Sequence, residues 1–455
     1  MRKHAWLLFL LAGLGCETNE IEETVDAALL ESPNVHDPLS MPESPTLDPS
    51  SFDSATDCQF CHSKYVEEWS TSGHAYAMKD PVFQALVKQR QEDLEGTEDQ
   101  FCTQCHSALG TRGGECVPGF NFEELSSIVM EGVTCVACHQ VTGLERPFNS
   151  GHTLSSDAPM MGGIENPQKT AAHDSAADPL IQSAAFCGGC HDVVETNGLN
   201  LERPHEEWIE SPLGGSSETC QSCHMPAEAG DAVDGGPERQ IHSHRFRGVG
   251  IPMLEGFVPD AETMAILDGE VEELLSGSSN VEVSHPDVIL AGEQLDLVVT
   301  IQNLIPGHNL PTGSNFLRQF WLDLIVTDSE GRVLYRTGDL DSNGDLRNVW
   351  SETDPFGDPD LITLTSDLLD AKGDPVLFPW DAVELVNRAI APAHERTYTL
   401  FVPVPEDAAT PLEVQASLLF RAFPPYLLRT LGLSDYVGKL KIRTLSSVVT
   451  SVDVE

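Results

Sequence analysis

Five copies of one five-residue pattern constrain this chain more than any other feature. CQFCH (58–62), CTQCH (102–106), CVACH (135–139), CGGCH (187–191) and CQSCH (220–224) use ten of its 12 cysteines. At this content of cysteine and histidine, chance supplies about 0.01 such motifs in the whole chain. The repetition is therefore chemical in origin.

Cysteines three apart present two thiols to the two vinyl groups on one edge of a haem, and the histidine that follows swings beneath the ring to ligate iron. Each motif thus implies one covalent c-type haem. The sites are Cys58 and Cys61 with His62, Cys102 and Cys105 with His106, Cys135 and Cys138 with His139, Cys187 and Cys190 with His191, and Cys220 and Cys223 with His224. Paired CxxC zinc knuckles and a disulfide framework compete with this reading, but neither calls for a histidine after every pair. Five haems between residues 58 and 224 leave too little polypeptide for a separate core around each. The porphyrins then supply much of the buried apolar surface and lie near one another, which suits electron transfer. Short helical pieces such as KYVEEWS (64–70) and HEEWIES (205–211) are expected to wrap them, with Trp69 and Trp208 as packing residues.

A haem held by one histidine has an open axial position, and a second imidazole closes it to give a low-potential carrier. His74, His152, His173, His205, His242 and His244 lie in the haem region, and His308 further on. Seven candidates for five vacancies imply that most or all irons are closed. His242 reads as a bystander and Met225 as packing. Spacing does not say which histidine serves which iron.

The stretch CQFCHSKYVEEWSTSGHA (58–75) resembles the first haem segment of multihaem cytochromes c, the group that includes the tetrahaem electron carrier of nitrifying bacteria and, more distantly, hydroxylamine oxidoreductase. AAHDSAADPLIQSAAFCGGCHD, EEWIESPLGG followed by CQSCHMP, and HSHRFRGV continue the resemblance to about residue 250. It implies that His74 and His244 are distal ligands, and His173 with them. His152 and His205 are further candidates.

From about residue 280 the cysteines stop and the apolar period becomes two. EQLDLVVTIQN, FWLDLIVTD, TYTLFVPV and LEVQASLLF alternate between Gly, Pro and Asp turns. The expected architecture is multidomain: a mainly helical and irregular multihaem cytochrome c domain (56–260), a connecting helix (261–279) and an all-β antiparallel sandwich (280–455). PGHNLPTGSNF (306–316) resembles a GHxxPTG segment that accompanies this haem domain in larger family members, and RAFPPYLLRTLG (421–432) resembles their C-terminal region. The resemblance raises two readings of His308, a distal ligand crossing from the β domain or a hydrogen-bonded loop histidine.

The first residues, MRKHAWLLFLLAGLGC, combine a basic start with an apolar run too short to span a bilayer, so 1–15 reads as an export signal. Cys16 stands where a bacterial lipoprotein takes its lipid, although an ordinary secreted protein is the alternative. Residues 16–55 read as an acidic disordered tether. A periplasmic, outer-membrane or cell-surface lipoprotein is expected, with membrane attachment through the N-terminal lipid. The chain holds 72 Asp and Glu against 25 Lys and Arg, a formal charge of -47, which argues against nucleic acid as a partner.

Two lesser features complete the reading. Asp339, Asp341, Asn343 and Asp345 in GDLDSNGDLRN match the start of a calcium loop, but Trp350 stands where such a loop ends in Glu, so a polar hairpin turn competes with Ca2+. Cys116, outside the motifs, reads as a buried thiol without a role. Two functions follow: an electron carrier between redox partner proteins, or an oxidoreductase in which one open haem acts on a small nitrogen or sulfur species. Nitrite reductases of this kind often carry Lys in place of a motif histidine, and no such motif occurs here.

Overall fold

A computed structural model describes residues 45–455. The export signal, Cys16 and most of the acidic tether lie outside the described residues.

Beside a small sheet of Pro375–Val376, Asp367–Leu369 and Glu384–Val386, the C-terminal half is built from two larger sheets. One has five strands in the order Val288–Ile289, Ile442–Val454, Leu412–Arg421, Gln319–Thr327, Val333–Thr337, and the other has three, Glu395–Pro403, Gln294–Asn303, Ser279–Ser284. Alternation decides the packing. Leu295, Leu297, Val299 and Ile301 from the three-stranded sheet share one core with Leu322, Leu324, Val414 and Leu418 from the five-stranded sheet, while intervening polar residues face outward. The expectation of purely antiparallel pairing is corrected at one edge, where Val288–Ile289 runs parallel to Ile442–Val454. This strand has two residues, too few to leave a period in the sequence.

The helix Ala261–Ser276 begins at Asp260, whose carboxylate accepts the Thr263 amide at 2.8 Å. It does more than connect. Val271 and Leu275 enter the β core, so the helix packs as part of that half.

Residues 45–260 are different in texture. Their longest helix, Pro81–Asp93, has 13 residues and starts with Asp80 as cap and proline in the first turn. The protein-only core, around Met78, Val87, Leu109, Val129 and Val136, is small. The tether assigned to residue 55 is corrected at its end. Thr46 donates to Arg112 O at 2.9 Å, Pro49 and Phe52 are buried, and Ser54 forms a capping box with Asp57. An acidic, proline-rich composition misled here because two apolar side chains were enough to dock the segment.

Among the described residues, no helix is long and apolar enough to cross a membrane.

Candidate haem centres

Each motif sits on about one helical turn. Gln100–His106, Cys135–His139, Ala184–His191 and Cys220–His224 are helices, and in the first motif the Cys61 and His62 amides both return to Cys58 O, at 3.2 and 3.0 Å. A helical turn places residues i and i+3 on one face, so both thiols of a motif point the same way. None of the 11 described cysteines forms a disulfide, and no group of three or more described His, Cys, Asp or Glu side chains converges as a simple ion site.

The imidazoles pair across the fold. His62 and His173 have ring centroids 6.3 Å apart, His74 and His191 6.3 Å, His139 and His244 6.1 Å, and His224 and His308 6.2 Å. Two metal–imidazole bonds of about 2.0 Å each, with about 1.1 Å from nitrogen to ring centre on both sides, require roughly 6.2 Å. All four spacings therefore fit an iron held between two imidazoles, and they are too long for direct ring stacking.

Most of these rings are oriented through Nδ1. That atom meets a backbone carbonyl in His62 (Ala232 O, 2.8 Å), His139 (Met161 O, 2.6 Å), His224 (Arg247 O, 2.6 Å), His244 (His242 O, 2.9 Å), His308 (Asn309 O, 2.8 Å) and His173 (Asp174 O, 3.1 Å). Nδ1–H donation leaves Nε2 as the ligating atom and raises its basicity. His74 Nδ1 is buried without such an acceptor. Burial pushes His74 down to about 3, with His191 acting in the same direction, and pushes His244 and His308 down to about 4. The neutral form is the one that offers a lone pair to a metal.

The fifth motif histidine has no such counterpart. His106 is held by Ala77 O at 3.0 Å, and its ring stacks on Phe83 at 3.8 Å with a 5° interplanar angle. Among the described residues no imidazole stands at ligand spacing from it. The expectation of distal ligands for nearly every iron therefore meets four matched pairs and one single ring.

His152 and His205, read as further ligands, stand at ligand spacing from no motif histidine among the described residues. His152 Nε2 faces Phe186 O at 2.8 Å, and its Nδ1 lies 3.7 Å from Cys190 Sγ. His205 is buried against Asp192, whose Oδ2 is 3.7 Å from Nδ1. Both rings lie on the CGGCH helix instead: a Cβ on Gly188 would come 2.6 Å from His205, and one on Gly189 2.3 Å from His152. The two glycines make room for two packed imidazoles. Gly189→Ala is expected to destabilise the holoprotein by about 1–3 kcal/mol, because overpacking outweighs the gain in helix propensity of about 1 kcal/mol. Thermal denaturation of the loaded variant checks this, and wild-type stability would contradict it.

Thiols from different motifs meet. Cys58 lies near Cys135, Cys105 near Cys190, and Cys187 near Cys220. The fourth motif thus borders both the second and the fifth, and Cys138 interacts with Cys190. Cys116 is fully buried in the small core, where burial pushes its thiol up to about 12, leaving it protonated and inert.

The β half reaches the haem half through the loop after Gln294–Asn303. Asn309 donates from its backbone and side chain to Glu207, at 3.1 and 2.8 Å, and the Thr312 and Ser314 hydroxyls bond Glu207 and Glu202. Asn303 Nδ2 holds His308 O at 3.0 Å. These bonds fix the loop whether or not its imidazole has a ligand role.

The suggested calcium loop is spent on internal bonds. Asp339 pairs with Arg347; Asp341 accepts the Asn343 and Asp345 amides and the Ser351 and Thr353 hydroxyls; Asp345 pairs with Arg429 and the Tyr426 amide. These are the bonds of a polar turn.

Residues 57–140 match the family model described as cytochrome c554 and c-prime. A penta-heme cytochrome c552 from Thermochromatium tepidum shares the fold, with a TM-score of 0.62, 20% identity, and coverage of 89% of this chain and 100% of that one. The CARDB domain of a Pyrococcus furiosus protein, solved with two metal ions, aligns at 10% identity over 39% of this chain and 87% of its own, with a TM-score of 0.18. No curated protein matches the chain. The matched segment contains three of the five haem-attachment motifs, and the fold shared over most of the length is that of a penta-heme cytochrome, so the chain is similar to multihaem c-type cytochromes.

Proposed function

We propose that the protein is an exported pentahaem electron carrier with four closed haems and one open one. In this reading His173, His74, His244 and His308 are the distal ligands opposite His62, His191, His139 and His224. The haem on His106 has a vacant axial position. The observation that carries the reading is the common spacing of the four ring pairs, 6.1–6.3 Å. Covalent haem supplies one-electron chemistry at iron. The chain's own part is to anchor most of the rings through Nδ1, exclude water, and hold the motifs near one another so that charge passes between them.

The haem domain is read as 56–260 extended back over the docked segment, and the β half as a sandwich that donates His308. Cys16 would carry the lipid that keeps the protein at the membrane, facing redox partner proteins. The T. tepidum neighbour is itself described as penta-heme, which agrees with five attachment sites.

A second reading, an oxidoreductase acting on a small nitrogen or sulfur species, is favoured by one observation: His106 faces no imidazole partner among the described residues. Electron paramagnetic resonance of the oxidised, fully loaded protein tests both. Four low-spin irons and one high-spin iron are expected. Five low-spin irons would remove the open site, whereas a high-spin signal that changes with nitrite or hydroxylamine favours the second reading.

A further inference from the structure

Of the four proposed distal rings, His173, His244 and His308 each meet a backbone carbonyl through Nδ1, whereas His74 Nδ1 is buried with no hydrogen-bond partner among the described residues. Its plane needs another support. Phe246 supplies one, with its ring centroid 4.2 Å from that of His74 and the planes inclined at 58°. The same phenyl ring lies 5.6 Å from His244 at 75°, an edge-on contact. Both separations are those of direct ring contact.

The backbone explains how one side chain reaches both imidazoles. Phe246 has a φ of 50°, in the left-handed region that a bulky residue rarely adopts. The residues on either side of it are tied down. Glu68 Oε2 accepts the His244 amide at 2.7 Å and the Ser243 hydroxyl at 3.3 Å, while Arg247 donates its amide to His224 O at 2.9 Å and its carbonyl meets His224 Nδ1 at 2.6 Å. Phe246 makes the turn between these two anchors and packs against the cluster of Ala55, Trp69 and Ala75. Glycine would take that conformation without strain, so a phenylalanine kept there implies a role for its ring.

We propose that Phe246 is a positioning residue for His74, fixing an imidazole plane that no hydrogen bond fixes, and that by sharing its ring with His244 it links the axial geometry of two haems, those on His191 and His139. The proposal rests on the reading of His74 and His244 as distal ligands. The planes of two axial imidazoles set the splitting of the iron d orbitals, so a side chain that fixes a plane also fixes the low-spin g values. The His74 and His191 rings are inclined at 45°, and those of His244 and His139 at 17°. His244 has two further supports, its Nδ1 on His242 O at 2.9 Å and the Tyr65 ring at 4.5 Å. Loss of the Phe246 ring therefore acts more strongly on His74.

The test uses the holoprotein, with intact mass showing five haems in every variant. His74→Ala and His244→Ala first assign the signals, each converting one low-spin iron to high spin; retention of all low-spin irons in either would overturn the ligand reading, and this proposal with it. Phe246→Gly then removes the ring at a backbone position that favours glycine, and Phe246→Tyr keeps a ring. Electron paramagnetic resonance of F246G is expected to show the g values of the His74 iron moved most, those of the His244 iron moved less, and those of the other two paired irons unchanged, with wild-type values in F246Y. Wild-type g values at the His74 iron in F246G overturn the proposal, as does an equal shift of all four signals, which general loosening would give. Movement confined to the His74 iron overturns the link to His244. Should F246G fail to load its haems, F246L is read in its place with the same outcomes.

Discussion

Replacing His308 by alanine is expected to turn the haem on His224 from low-spin to high-spin while the other three paired haems keep their signals. The His308 ring is 6.2 Å from that of His224 at an angle of 26°, and its Nδ1 is fixed by Asn309 O. The loop that carries it is anchored independently: Asn303 holds the His308 carbonyl, and Glu207 takes the Asn309 amide and side chain. Removal of the imidazole should therefore leave the backbone in place and vacate one axial position. The effect is all-or-none in the spectrum, since a six-coordinate iron that loses a strong ligand changes spin state. Electron paramagnetic resonance of the loaded variant reads it directly. An unchanged number of low-spin irons would strip His308 of the role and reduce the β half to a neighbour. The Glu207→Ala variant makes a useful companion, because it loosens the loop without touching the imidazole.

The attachment motifs were legible in the sequence because their chemistry is local: two thiols and an imidazole within five residues need one helical turn and nothing more. The β strands were legible for a similar reason. Leu295, Leu297, Val299 and Ile301 alternate with outward-facing residues over a length that only a sheet accommodates. Pairing of the histidine rings was not legible. His173 meets His62 across 111 positions, and His308 meets His224 from the other half of the molecule, so no spacing rule could connect them.

His152 and His205 show how little the inventory of histidines says about where each ring lies. Both lie in the haem region, both are buried, and both pack against the CGGCH helix. What sets them apart from the paired rings is that neither has a motif histidine at ligand spacing among the described residues, and that depends on contacts such as His152 with Phe186, more than 30 residues away. A signal was present nevertheless. Two adjacent glycines inside a haem motif announce that something approaches the helix closely, and here it is these two rings. The single ring of His106 left no trace in the sequence, because a missing partner is visible only when every other histidine has been placed.

Arg90→Met is expected to destabilise the protein by about 3–5 kcal/mol, the usual cost of breaking a buried ion pair from one side. Arg90 is 1% exposed, and it donates to Glu195 Oε1 and Oε2 at 2.7 and 3.1 Å and to Glu98 at 2.5 Å. Glu195 is fully buried, so removal of the guanidinium strands a carboxylate with no solvent to take up its charge. The loss is not confined to charge. Phe101 lies 4.6 Å and Trp380 5.4 Å from the guanidinium carbon, and the Trp380 indole donates to Asp93 at 3.0 Å on the same helix. Arg90 thereby couples the longest helix of the haem half, the strand-bearing segment around Glu195, and a loop of the β half. Arg90→Met with Glu195→Gln should recover a large part of the stability, because the second change removes the stranded charge, whereas Glu195→Gln alone leaves Arg90 with Glu98. Denaturation of the four loaded proteins closes the cycle. A single Arg90→Met variant within about 0.5 kcal/mol of wild type, the range of an ordinary surface substitution, would show that this pair does not tie the two halves together.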